Sequence, residues 1–228
     1  MKKVFNFLHS IWDKGFFHVL IANFLIALVA FGSQLFVAKV LTDIQLGYIK
    51  IFQSFTQILS LFAGMGFSTS VLIVCSCTQN VKQKLEHLSV ALYAVVPISI
   101  IVLALFIVIN QFDLWTPISE VKLLFDKYSY IVVFTAIIAV YTAFIQSSKI
   151  FKKYSNLVIL TKFVSIGFIV LFTYWRGFYG FFEGTCVGLV LSLIINISFV
   201  KNEFDFYLNK KINRLSFKIK EQFKLGIH

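Results

Sequence analysis

Polar residues recur along three apolar stretches of the sequence, and their spacing suits them to non-covalent chemistry. Asn23 and Gln34 belong to one stretch, Gln53 and Gln57 to a second, and Gln146 to a third. In each stretch the polar and small residues recur every three or four positions, which places them on one helical face. Amides facing hydrocarbon are costly. We therefore expect these faces to line a hydrated cavity; hydrogen bonding between helices without a ligand is the alternative.

Two charged residues fall within apolar stretches. Lys162 lies about six residues inside one of them, roughly 10 Å along a helix. A charge inside a membrane is by default a candidate functional site, and snorkelling of the side chain to the headgroups is the competing explanation. Glu183 lies near the start of the last stretch, where it either pairs with a cation or sits at the membrane interface.

The last apolar stretch carries a ridge of small residues spaced four apart. Such a ridge lets another helix approach closely, so we assign it to helix packing rather than to ligand binding. Its members are Gly180, Gly184, Gly188, Ser192 and Asn196.

The composition indicates a membrane protein. Of the 228 residues 59% are apolar and only 14% are charged, against about 45–50% and 25% in soluble domains. A soluble domain of this size cannot bury that much apolar surface, and a disordered chain does not have it. The net charge of +11 fits basic cytoplasmic loops better than nucleic-acid binding, since no nucleic-acid-binding motif accompanies it.

The fold class expected is all-α, a polytopic helical bundle. A bilayer core needs about 20 apolar helical residues per crossing, and the runs are continuous rather than alternating, which excludes a β-barrel. Six such runs fill a transmembrane lobe over residues 1–200, and a basic tail follows at 201–228. The predicted spans are about 16–38, 51–76, 88–110, 128–148, 156–175 and 178–200.

Basic residues set the expected orientation. With the N-terminus inside, the inner segments hold 15 Lys and Arg residues and the outer segments hold 5. The excess on the inner side predicts that both termini and the tail are cytoplasmic. The sequence carries no phosphate-binding loop, no metal-ligand spacing and no nucleophile motif. We therefore expect no enzymatic activity, no cofactor and no metal.

Several short motifs resemble a known family. The first span is followed by a turn with Leu46-Gly47-Tyr48, and the second span contains FQSFTQILSLFAGMGFSTS with the step Gly64-Met65-Gly66. A lysine-rich inner loop at 149–153 and a glycine-rich sixth span follow. This arrangement resembles the polysaccharide flippases, which carry O-antigen or capsule repeat units and belong to the multidrug/oligosaccharidyl-lipid/polysaccharide exporter superfamily. Such proteins have two six-helix lobes, so the resemblance covers an N-terminal lobe whose tail leads toward a missing second lobe.

The resemblance implies a multi-pass transporter of the bacterial inner membrane. Its cargo would be an undecaprenyl-pyrophosphate-linked oligosaccharide repeat unit, moved across the membrane for O-antigen or capsule synthesis. Lys162 would hold the pyrophosphate as a point charge, and the amides would bind sugar hydroxyls. The amides are Asn23, Gln34, Gln53, Gln57 and Gln146. Its partners would be the lipid-linked oligosaccharide, the bilayer and a second lobe or subunit, with no nucleic acid.

Three alternatives stay open. A cation-coupled multidrug or metabolite exporter of the same superfamily would use acidic residues, and the six spans offer only Glu183. A membrane enzyme such as a polymerase or acyltransferase would want a long outer loop or a His/Asp or Arg cluster, which the sequence lacks. A truncated, non-functional membrane protein is the third.

Overall fold

The computed structural model describes residues 16–112, 116–204, 219 and 222–226, and its regular structure over this part of the chain is α-helical throughout. The prediction of an all-α fold is confirmed. The helices are α1 (Phe16–Val40), α2 (Asp43–Gly64), α3 (Phe67–Cys77), α4 (Val81–Gln111), α5 (Ser119–Tyr128), α6 (Ile131–Ser147) and α7 (Phe151–Phe204).

Several of these helices can cross a bilayer by length and composition. Three candidates stand alone in the described residues, namely Leu20–Val40 within α1, all of α4 and all of α7. Two bent pairs, α2 with α3 and α5 with α6, raise the number to as many as five when each pair is taken as one span. These helices are those of a multi-pass membrane protein.

The chain divides into two compact units that do not follow its linear order. Unit 1 comprises Met1–Val40 and Lys149–Ile195, and unit 2 comprises Leu41–Ser148 and Asn196–His228. Unit 1 thus contains α1 and most of α7, whereas unit 2 contains α2 to α6 and the end of α7. The division predicted from the sequence, a lobe to residue 200 and a tail beyond it, stays a prediction.

Helix α7 is a hairpin folded at one glycine. Gly177 has φ 58° and ψ −131°, outside the helical region, a conformation that costs glycine little because it has no Cβ atom. The backbone at Gly188 lies against Ser165, so the second arm returns along the first. A straight helix of 54 residues would be about 80 Å long, far more than the roughly 30 Å of a bilayer core.

The turn expected at Leu46-Gly47-Tyr48 is not there, and that prediction was wrong. Helix α2 already begins at Asp43, and the break before it is confined to Leu41 and Thr42. The reason is a capping box: the Thr42 hydroxyl accepts from the Gln45 amide at 3.4 Å, and the Gln45 side chain accepts from the Thr42 amide at 3.1 Å. Capping supplies acceptors for backbone amides that have none within the first turn, so the helix begins at Asp43, about one turn before Gly47.

Helices α2 and α3 form one apolar run that is broken in the middle. Met65 and Gly66 both have left-handed backbone conformations, with φ 38° and 75°. The two helices meet at a bend of 50°. The prediction placed a continuous second span here, and the glycine step that marked it is where the helix is interrupted.

The segment before the fourth predicted span is helical as well. Helix α5 occupies Ser119–Tyr128 within what the sequence suggested was an outer loop, and it meets α6 at a second bend of 50°. Three of its apolar residues, Val121, Leu124 and Phe125, are buried. Their spacing of three and one gives α5 one apolar face, which packs against α2 and α4 and explains why the segment is folded.

Aromatic rings fill the core of unit 2 at this level. The Phe125 ring stacks on Phe52 with 5.7 Å between centroids and meets Phe106 and Phe55 edge-on at 5.0 and 5.2 Å. Edge-to-face and offset-stacked pairs are the preferred geometries for such rings. This cluster joins α2, α4 and α5.

Candidate functional site

The polar face of α2 meets the polar face of α6. The hydroxyl oxygens of Ser60 and Thr135 are 2.8 Å apart, within hydrogen-bond distance. Ser60 continues the helical spacing of Gln53 and Gln57, and Thr135 that of Gln146, so both lie on the predicted polar faces. Each hydroxyl also lies near a backbone carbonyl of its own helix, that of Thr56 at 2.7 Å from Ser60 and that of Ile131 at 3.0 Å from Thr135. One hydroxyl therefore donates to the other, and the second donates to the carbonyl of its own helix. At this point the two polar faces therefore form a contact between helices.

The side-chain amides of the same two polar faces lie away from that contact. Gln53 is half-buried, and Gln57 and Gln146 are exposed. Gln57 is about 5 Å along α2 from Ser60, and Gln146 is about 16 Å along α6 from Thr135. Among the described residues, none of the three side-chain amides forms a hydrogen bond. The structure thus places two amides together on α2 and sets the third apart on α6.

The other three predicted site residues belong to unit 1. Asn23 and Gln34 are exposed on α1, and Lys162 is exposed on the first arm of α7. Their assignment to a common cavity with the amides of unit 2 stays a prediction.

The two arms of α7 are joined by a seam of small and hydroxyl residues. The Ser165 and Ser192 hydroxyl oxygens are 3.0 Å apart, and each also lies near a backbone carbonyl, that of Gly188 at 3.3 Å from Ser165 and that of Thr161 at 3.2 Å from Ser192. One hydroxyl therefore donates to the other, and the second donates to its carbonyl. Lys162 follows Thr161 by one residue, which turns it about 100° around the helix and away from the seam. This leaves the lysine side chain exposed beside the hairpin.

The glycines of the ridge lie on the seam. A Cβ atom on Gly180 would overlap the Phe172 carbonyl oxygen, and one on Gly184 would lie 2.5 Å from that of Phe168. On Gly188 it would lie 2.8 Å from the Cα atom of Ser165. Only glycine permits this approach of the two backbones.

Glu183 is engaged in an ion pair. Its carboxylate accepts a hydrogen bond from the Arg176 guanidinium at 2.6 Å, across the turn of the hairpin. Arg176 immediately precedes Gly177, so the fold itself brings the two charges together. The structure thus contains a cation partner for Glu183, and its position at the membrane interface stays a prediction.

The sequence analysis does not predict two polar contacts that the buried residues Asn110 and Gln222 make in unit 2. The Asn110 side chain donates to the Asp126 carboxylate at 2.8 Å, and the Gln222 side chain contacts His87. Asn110 and Gln222 are separated from their partners by 16 and 135 positions. No periodicity within one helix signals such pairs, because each joins residues of two different elements.

The described residues contain no group of three or more His, Cys, Asp or Glu side chains that could hold a metal ion. No protein family, no curated protein and no solved structure matches the chain.

Proposed function

We propose that the chain is one transmembrane lobe of a bacterial inner-membrane flippase. Its cargo is an undecaprenyl-pyrophosphate-linked oligosaccharide repeat unit for O-antigen or capsule synthesis. The lobe supplies one wall of a path whose other wall is a second lobe or subunit. No covalent step is involved, so the residues of the wall need only bind the cargo and release it.

The proposal counts six spans. Three candidates stand alone and two more come from the bent pairs; the sixth comes from treating the arms of α7 on either side of Gly177 separately. Two arms that run back along each other are each of bilayer length, whereas together they are not. An even number of spans keeps both termini on the same side, in agreement with the basic inner segments.

The exposed amides are the observation that carries the proposal. Gln57 and Gln146 lie on apolar helices of unit 2, are exposed, and have no hydrogen-bond partner among the described residues. In hydrocarbon, an amide without a hydrogen-bond partner raises the free energy by several kcal/mol. Such a face is stable against water or against a polar partner. A cavity that binds sugar hydroxyls supplies both, since amides donate and accept hydrogen bonds.

Lys162 gives the lobe a site for the anionic part of the cargo. It is exposed on α7, and an ammonium group on a long stem can meet a pyrophosphate as a point charge. The rival cation-coupled exporter needs a carboxylate for its ion. Glu183, the acidic residue of the six predicted spans, is paired with Arg176, which favours the flippase over that rival.

Aqueous thiol labelling tests the cavity. In a background with Cys75, Cys77 and Cys186 replaced by alanine, Gln57→Cys and Gln146→Cys should react with a membrane-impermeant maleimide. Phe62→Cys is the matched control: Phe62 is 62% exposed on the same helix, turned about 140° from Gln57, and should face lipid. Protection of both glutamine positions to the level of Phe62→Cys contradicts the proposed cavity.

Replacement of Lys162 tests the cargo. In a bacterium whose surface polysaccharide depends on this chain, Lys162→Ala should lower the polysaccharide by about tenfold or more at equal protein level, since a charged contact is worth about 1.5–3 kcal/mol. Lys162→Arg should retain most of it. Lys152→Ala, an exposed lysine of the same arm outside the predicted span, should have no effect. Unchanged export in Lys162→Ala removes the lysine from the mechanism.

A further inference from the structure

A short helical segment near the end of the chain is packed into unit 2. Gln222 begins this segment, residues 222–226, and its side chain is only 2% exposed. The Gln222 side-chain nitrogen lies 3.0 Å from Nδ1 of His87 and donates to the His87 backbone carbonyl at 3.1 Å. One buried amide thus binds both the ring and the backbone of a residue in the second turn of α4.

The rest of the segment packs against the start of α3. The rings of Phe223 and Phe67 are 6.2 Å apart between centroids. The backbones of Gly226 and Gly66 touch, and a Cβ atom added to either glycine would overlap the carbonyl oxygen of the other. The contact is therefore specific for glycine on both sides.

These contacts connect the segment both to the break between α2 and α3 and to α4. Gly66 lies in the break between α2 and α3, at a left-handed φ of 75°, and His87 lies on α4. Residues 222–226 contact both elements at once. They hold the broken run and the beginning of α4 in one fixed relation, and interrupted helices are common places for a membrane protein to bend.

The docked segment is also poised to leave. The described contacts that hold it include a ring pair, a glycine pair and the Gln222 amide. The Oε1 atom of Gln222 has no hydrogen-bond partner among the described residues. A buried acceptor without a partner opposes burial, because water would satisfy it in the released state. Lys224 and Leu225 of the segment remain exposed, so it is not enclosed.

We propose that residues 222–226 form a releasable latch, a self-docking segment that fixes the break between α2 and α3 against α4. When it is docked, unit 2 is held in a single conformation. When it is released, the break is free to bend and His87 becomes accessible. This inference does not rest on the proposed function, and its tests do not measure transport.

Hydrogen exchange of the full chain in detergent or nanodiscs tests the latch. Gly226→Ala adds a methyl group that overlaps the Gly66 carbonyl oxygen, while alanine favours a helix more than glycine does. The peptide covering 222–226 should exchange about tenfold or more faster in this variant than in the natural chain. Gly167→Ala is the matched control, since its added Cβ would meet nothing within 4 Å, and it should leave that peptide unchanged.

Cross-linking gives a second measurement. In the cysteine-free background, Met65→Cys with Leu225→Cys should be joined by a short bis-maleimide, since both residues are exposed and each adjoins one of the touching glycines. Adding Gly226→Ala should sharply lower the yield, while adding Gly167→Ala should not. Gln222→Ala should likewise speed exchange of the segment. The latch is overturned if the natural chain shows no protection of residues 222–226, or if Gly226→Ala leaves both exchange and cross-linking as they were.

Discussion

Gly184 packs on Phe168 so closely that a Cβ atom added to the glycine would lie 2.5 Å from the Phe168 carbonyl oxygen. This contact joins the two arms of α7 about two helical turns from the break at Gly177. No side chain lies between the two backbones there, so the hairpin relies on the absence of one.

Gly184→Ala is therefore expected to destabilise the hairpin. The added methyl group must push the arms apart, and overpacking of this kind costs about 1–3 kcal/mol. Unfolding of the purified protein in mixed micelles measures the change. Gly167→Ala, on the first arm with open space around it, should be neutral or stabilising by up to about 1 kcal/mol. Equal effects of the two variants would contradict close packing at Gly184.

Removal of the Ser60 hydroxyl is expected to be mild and coupled to Thr135. Hydrogen bonds between membrane helices average about 0.6 kcal/mol in double-mutant cycles, and the Ser60 hydroxyl also lies near a carbonyl of its own helix. A cycle of Ser60→Ala and Thr135→Val should give a coupling free energy of about that size in micelle unfolding. A coupling indistinguishable from zero would mean that the two hydroxyls do not interact in the membrane.

The ion pair at the hairpin turn is expected to contribute little to stability. Arg176 is 64% exposed and Glu183 is 23% exposed, and exposed pairs are worth at most about 1 kcal/mol. Glu183→Gln should thus change the free energy of unfolding by less than that, and the difference should shrink in high salt. The exchanged pair, Arg176→Glu with Glu183→Arg, should recover what the single change loses.

Glu183→Gln also discriminates between the two transport functions. A flippase of the proposed kind should retain its transport in this variant, because the carboxylate only pairs with Arg176. A cation-coupled exporter that uses Glu183 would lose transport in the same assay, at equal protein level.

The native cysteines are expected to differ in reactivity. Cys77 is exposed at the end of α3, whereas Cys75 and Cys186 are buried. A maleimide should modify Cys77 alone in the folded protein and all three after denaturation, as counted by mass spectrometry. With an impermeant reagent, Cys77 should react in inside-out vesicles and not in intact cells. Labelling from the cell exterior would contradict the predicted orientation.

Helical character was easier to predict than helix boundaries. Apolar runs such as 88–110 stand out because a membrane helix must be apolar on all sides, and α4 covers that run at Val81–Gln111. The start of α2 was misplaced although its signal was present: Thr42 followed by Gln45 is a capping box, a pattern that predicts a helix start. Gly47, which the family resemblance places in a turn, lies within that helix.

The helix breaks and the long-range contacts could not be predicted from the sequence. The second run has the same apolar composition whether it forms one continuous span or two helices bent at Met65 and Gly66. Composition alone therefore does not predict the break. Pairs such as His87 with Gln222 depend on where the chain travels in three dimensions. Ser60 and Thr135 lie on the faces of α2 and α6 that helical spacing predicts to be polar, and they meet there. The common cavity of the candidate site residues stays a prediction.

The single-residue connection at Gly177 has a consequence for biogenesis. The two arms of α7 emerge from the ribosome as one nearly continuous apolar segment, with the charged residue Arg176 next to the turn. Since no polar loop separates the arms, we expect both to enter the lipid together and to pair there along the glycine seam. An epitope inserted at this point would separate the arms before they could associate.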